Sequence, residues 1–162
     1  MTTATGQPAS RPVTWLTTLP FMAAVAAVAV LGGLSASGSA QTYRTLEQPA
    51  FAPPAWLFGP VWTVLYVMIG AAGWLLWRRR GRSVALVLWV VQLGLNLAWT
   101  PLFFAADLRG WALVDIVLLD LAVAGTMVLG WRISHAAVWL LAPYLAWTLF
   151  ATALNASIWV LN

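Results

Sequence analysis

Three short polar series stand out in an otherwise apolar chain, and their spacing decides what chemistry they could do. Gln92, Asn96 and Thr100 recur every fourth residue and so share one face of a helix. Tyr144, Thr148 and Asn155 fall along one side of a later helix, with Trp147, Ala151 and Leu154 beside them. Trp62 and Tyr66 stand one turn apart in an earlier one. Amides, hydroxyls and indoles in this pattern can do two things. They can bond from helix to helix and hold a bundle together. Alternatively, they can line a cavity whose flat apolar walls carry a few orienting polar groups, which suits a large planar amphipathic ligand.

One carboxylate is out of place. Asp120 falls near the centre of an apolar run, where a charge is costly, so it must be neutral or hydrogen-bonded. It is either a protonated group bonded to a neighbouring helix or the proton carrier of a coupled transporter. Asp115 is five residues away and points to another face, so the two do not form an acid–base pair. Other chemistries find no support. His135 is the single histidine and has no companion ligands, cysteine is absent, and no nucleophile–base pair or metal cluster occurs. Gly32-Gly33 lies within an apolar run and does not begin a phosphate loop.

The elements that position these residues follow from composition. Only 7% of the 162 residues are charged and 62% are hydrophobic, which is the composition of a membrane protein. Residues 1–14 read as a disordered tail, and 15–162 as one domain. Apolar runs cover about 15–34, 57–77, 83–104, 111–131 and 136–161, each long enough to cross a hydrocarbon core about 30 Å thick. Backbone groups in lipid must be satisfied within each segment, so every run is a helix. The expected fold class is all-α, a polytopic bundle of five transmembrane helices. The first run, followed by Ser35-Ala-Ser-Gly-Ser-Ala40, also resembles a signal peptide, but its length favours retention as a span.

A polar connector, 41–56, separates the first two runs and ends in a proline-rich aromatic lip, Pro49 to Tyr66. Pro53 and Pro54 cannot sit inside a helix, and Pro60 is tolerated only in a first turn. The lip therefore sits where loop becomes helix. Arginine bias sets the orientation. Arg11, Arg78, Arg79, Arg80, Arg82 and Arg132 fall on one side, and Arg44 and Arg109 on the other. The positive-inside rule then puts the N-terminus in the cytoplasm, with the 41–56 loop and the C-terminus outside. Clustered in a loop, these arginines do not form a nucleic-acid surface. Trp15, Trp56, Trp77, Trp111, Trp131, Trp139 and Trp159 sit near run ends, as an interfacial belt requires. Trp62, Trp74, Trp89, Trp99 and Trp147 lie deeper and either pack helices or line a cavity. Pro143 should kink or loosen the fifth span. Gly94-xxx-Ala98 is a small-xxx-small pattern compatible with close helix contact.

Four stretches then carry a resemblance. They are Pro53-Pro54 with Trp56-Leu-Phe-Gly-Pro-Val-Trp-Thr-Val-Leu-Tyr66, Gln92-Leu-Gly-Leu-Asn-Leu-Ala-Trp99 with Pro101 and Phe103-Phe104, Gly110-Trp-Ala-Leu-Val-Asp115, and Pro143-Tyr-Leu-Ala-Trp-Thr-Leu-Phe-Ala-Thr-Ala-Leu-Asn155. In order and spacing, residues 15–162 resemble the translocator protein / tryptophan-rich sensory protein (TspO/MBR) family. The resemblance implies a five-helix membrane protein, usually a homodimer. It implies binding of protoporphyrin IX or a haem-like tetrapyrrole as ligand, with no cofactor required. The implied cavity lies beneath the first loop, walled by Phe58, Val61, Trp62, Asn96, Trp99, Trp111, Leu118, Trp147, Ala151 and Leu154. Phe51, Trp56 and Tyr66 complete its lip and upper wall. Phe51 stands where the family commonly has tryptophan, keeping a stacking face without an indole N–H. The sterol motif of animal members is missing, since Ala156 and Val160 occupy its Tyr and Arg or Lys positions. The family suggests two functional readings: porphyrin handling, transport or stress-linked regulation, and light- and oxygen-dependent porphyrin breakdown using Trp62 and Trp147. Asp120 stands where other members carry a small or apolar residue, and the proton-linked exporter remains a third reading.

Overall fold

The computed structural model describes residues 15–36 and 38–162; the expected tail, 1–14, lies outside the described residues, as does the side chain of Trp15. Six α-helices follow one another: α1 (Leu19–Ser35), α2 (Ser39–Thr45), α3 (Phe58–Arg80), α4 (Val84–Thr100), α5 (Arg109–Trp131) and α6 (His135–Leu161). All but α2 are long and apolar enough to cross a membrane. Their boundaries fall within a few residues of the five expected runs.

The helix ends obey local chemistry. Ser83 and Ser134 cap α4 and α6, each hydroxyl accepting a first-turn backbone N–H at 3.3 Å. Arg78, Arg79 and Arg80 occupy the last turn of α3, where cations suit the helix dipole. Gly81 then turns the chain at φ 63°. A 3₁₀ turn, Ala55–Leu57, feeds α3, so Pro60 falls in its first turn. Pro101 ends α4 in a wider turn in which the Ala106 N–H reaches back to the Pro101 carbonyl at 2.9 Å. By contrast, α6 runs on through Pro143, leaving the Trp139 carbonyl without its usual amide donor.

The connector departs from its expected form. Residues 41–56 read as loop, yet Gly38, at φ 88°, starts the short helix α2. A single apolar anchor explains it. Tyr43 is buried edge-on against Phe58, ring centroids 5.4 Å apart, and donates its hydroxyl to the Pro53 carbonyl at 3.1 Å. Burial raises the pKa of this phenol, so it stays a donor. Further along, Glu47 and Asn162 form a two-way clasp: the Glu47 N–H donates to Asn162 Oδ1 and Asn162 Nδ2 donates to the Glu47 carbonyl, both at 3.0 Å. The connector is thereby tied to the far end of α6.

Packing closes the five long helices into a ring in the order α1, α3, α6, α5, α4 and back to α1. Sequence neighbours α3 and α4 touch only slightly. At the end that carries Arg78–Arg80 and Arg132 the ring is filled by Ile69, Leu76, Trp89, Val123 and Leu141. Trp89 fits only because residue 73 is glycine. Its indole occupies the space a Cβ at Gly73 would take, and its N–H donates to the Ile69 carbonyl at 2.9 Å. Gly73→Ala should therefore lower stability by about 1–3 kcal/mol through overpacking. Gly33→Ala, where a Cβ meets nothing within 4 Å, should leave it unchanged. Thermal unfolding of the two variants in detergent compares them directly.

Candidate functional site

Toward the other end, the ring encloses a cavity of about 460 Å³. That is within the range of ligand pockets, about 300–1,000 Å³. Every long helix contributes. Ala29, Gly32 and Gly33 come from α1, and Phe58, Gly59, Trp62, Thr63 and Tyr66 from α3. Asn96, Trp99 and Thr100 come from α4, with Phe103 and Phe104 just beyond it. The α5 wall is Ile116 and Leu119; α6 supplies Trp147, Thr148, Ala151, Leu154, Asn155 and Ile158. Tyr43 of α2 roofs it.

Two amides hold the wall together. Asn96 accepts from the Tyr66 hydroxyl at 2.8 Å through Oδ1 and donates through Nδ2 to the Tyr144 hydroxyl at 3.1 Å. Asn155 accepts the Trp99 indole N–H at 3.1 Å and donates to the Arg109 carbonyl at 3.1 Å. Each amide thus ties its helix to two others, and is itself fixed in rotamer. Around them the rings interlock. Trp62 lies 5.4 Å from Tyr66 and 6.1 Å from Tyr144, Phe58 lies 5.9 Å from Trp147, and Trp99 stacks on Phe103 at 5.0 Å. The Trp147 indole N–H is buried and has no protein acceptor.

Of the residues singled out from the sequence, Phe58, Trp62, Tyr66, Asn96, Trp99, Trp147, Ala151 and Leu154 meet on this cavity. Five do not. Trp56, Trp111 and Leu118 are exposed on the outside of the bundle, Trp111 bordering a separate shallow groove beside Arg109 and Trp159. Val61 packs into the core, and Phe51 sits on the lip against Phe150, centroids 6.1 Å apart. The reason is helical phase: a turn that carries a wall residue also carries outward ones. Among the deep tryptophans, Trp62, Trp99 and Trp147 line the cavity. Trp89 packs the core, and Trp74 donates to Thr17 Oγ1 at 3.0 Å while Arg78 lies over its ring at 4.7 Å. The six belt tryptophans whose side chains are described, Trp56, Trp77, Trp111, Trp131, Trp139 and Trp159, are all exposed.

The polar series divides too. Asn96 and Thr100 reach the cavity, whereas Gln92 is fully buried below it with neither amide atom bonded. Asp120 is hydrogen-bonded, accepting from Thr152 Oγ1 at 2.7 Å, and neither it nor the buried Asp115 lines the cavity. No cluster of metal-ligating side chains occurs among the described residues. The contribution of α1 was invisible to residue-type reasoning, because Ala29, Gly32 and Gly33 carry no chemistry of their own. Their signal is small size alone.

An aromatic cavity inside a ring of five membrane-crossing helices defines the class: an integral, multi-pass membrane protein built around an internal pocket. The chain belongs to the TspO/MBR family, which matches residues 21–160. It is 44% identical over 122 residues to the translocator protein of Homo sapiens, covering 72% of each chain. Against the tryptophan-rich protein TspO of Archaeoglobus fulgidus it is 44% identical over 142 residues, 86% of this chain and 92% of the other. The tryptophan-rich sensory protein of Cereibacter sphaeroides is 35% identical over 144 residues, 87% of this chain and 88% of its own.

The double role of Asn96 makes a testable point. Asn96→Ala strands two buried phenol hydroxyls and should cost about 1–3 kcal/mol for each group left unpaired. Tyr66→Phe removes one partner and leaves the Tyr144 bond intact, so it should cost clearly less. Equilibrium unfolding of both variants in mixed micelles gives the comparison.

Proposed function

We propose that the cavity binds a planar tetrapyrrole such as protoporphyrin IX and that the protein acts in porphyrin handling or transport. The observation that carries this reading is the Trp147 indole N–H. It is buried on the wall without a protein acceptor, and a buried donor left unpaired is costly. A carboxylate on the edge of the macrocycle is a suitable acceptor. The rings of Trp62, Trp99 and Phe58 supply the flat apolar surfaces on which a macrocycle stacks. Family membership supports the same conclusion, as the translocator and tryptophan-rich sensory names of the relatives concern transport and sensing. The arginine distribution supports a cytoplasmic N-terminus and an outward-facing lip.

The test is saturable quenching of tryptophan fluorescence by protoporphyrin IX in detergent. Trp147→Phe keeps the ring but removes the N–H. It should raise the quenching midpoint about 5–10-fold, the worth of one hydrogen bond. Trp111→Phe, on the outside of the bundle, should not move it. Wild-type protein that shows no saturation, or a Trp147→Phe midpoint equal to wild type, rejects the reading.

A second reading rests on the shared position of Trp62 and Trp147. Both rings border one cavity, so either could give an electron to a photoexcited porphyrin held there. Under illumination in air, the porphyrin complex should then develop a new absorption band. In the Trp62→Phe/Trp147→Phe double variant that band should be lost. Formation at the wild-type rate would remove these two residues from the chemistry.

A further inference from the structure

The cavity has a side opening, and its place follows from how α1 and α3 diverge. Toward the arginine end the two helices touch. A Cβ on Gly70 of α3 would lie 2.9 Å from the Met22 Sδ and 3.1 Å from Val25 Cγ2. Nearer the lip the contact is gone, and a Cβ on Gly32, Gly33 or Gly59 would meet nothing within 4 Å. The exposure of the wall tells the same story. The α5 and α6 residues facing the cavity are buried, apart from the half-buried Trp147. Its exposed lining residues are Gly33, Ala40, Gly59 and Thr63, all on the α1–α2 and α3 sides of this gap.

What lies outside the gap is also apolar. Val30 and Leu34 on α1 and Val64 and Val67 on α3 are exposed around it, so in a membrane the opening meets hydrocarbon. The end facing water is covered. Tyr43 is bonded to Pro53 and packed on Phe58, Gln48 Nε2 donates to the Tyr43 carbonyl, and Glu47 is clasped to Asn162.

We propose that ligands enter and leave this cavity sideways from the lipid phase, through a portal between α1 and α3 floored by Gly32, Gly33 and Gly59. The proline-rich lip is then a fixed roof. This deepens the binding reading above by naming the ligand class: flat solutes that partition into hydrocarbon before they are bound. Glycine at the three positions sets the portal's width, so they determine which solutes pass. The rim offers no charged side chain to draw a water-borne anion.

The natural chain has no cysteine, so a single thiol reports on access to the cavity. Ala151→Cys places one on the buried wall. In liposomes, a membrane-dissolved pyrene maleimide should label it, while a charged, water-soluble thiosulfonate should not. Adding Gly33→Phe, or separately Gly59→Phe, should slow pyrene labelling about tenfold or more. Both side chains enter open space, and an unchanged melting temperature establishes that the fold is intact. Asn162→Ala, which opens the clasp, should leave the labelling rate unchanged. Comparable labelling by the charged reagent overturns the proposal. So does a wild-type rate in both glycine variants, or a rate that rises in Asn162→Ala. No porphyrin is used, so failure of porphyrin binding and failure of the portal are separate results.

Discussion

Hydrocarbon offers no hydrogen-bond partners, and the rest of this structure depends on that constraint. A polar side chain inside the bilayer gains most from a partner within the protein, on its own helix or on another. Asn96 does so twice, joining α4 to α3 through Tyr66 and to α6 through Tyr144. Asn155 does so twice as well, joining α6 to α4 through Trp99 and to the start of α5 through the Arg109 carbonyl. These bonds cross the ring where side-chain packing is thinnest, around the cavity. They keep its walls apart at fixed spacing while leaving its interior apolar. Interhelical glue and pocket lining, alternatives when only the residues are considered, turn out to be one arrangement.

Glycine and tryptophan work as a pair in this chain, to opposite effect at the two ends. Gly73 makes room for the Trp89 ring, so the arginine end is filled. Gly32, Gly33 and Gly59 face no large ring across the α1–α3 gap, so the lip end stays hollow. Packing density, not polarity, separates the structural core from the pocket. One indole of the cavity differs from that of the core in its hydrogen bonding. Trp89 has its N–H satisfied by backbone, whereas Trp147 keeps a donor unused.

How far the sequence reveals this varies with the kind of signal. Five long apolar runs interrupted by arginine, proline and glycine define the spans, because hydrocarbon admits few other solutions. The face shared by Asn96 and Thr100 was legible from four-residue spacing, and the depth of Trp62, Trp99 and Trp147 from their distance to the span ends. Gln92 fits the same spacing and still misses the cavity, because the stripe runs further along the helix than the wall does. Val61, Trp111 and Leu118 show the converse, since a motif names a stretch without naming its inward residues. Helix α2 escaped notice because seven residues with one buried anchor, Tyr43, show no periodicity. The ring order was not legible either; it is decided by side-chain fits such as Gly125 against Leu88 and Gly70 against Met22.

That ring order has a consequence for how the protein is made. Helix α6 is synthesised after the other four spans, yet its place is between α3 and α5. Until it arrives, α3, α1, α4 and α5 form an open arc with a seam down one side. Asn96 and Trp99 then face that seam without their partners on α6. The pocket has no existence at this stage, because one whole wall is still to come. With α6 in the seam the amide bonds are complete, the ring is closed and Asn162 reaches the Glu47 clasp.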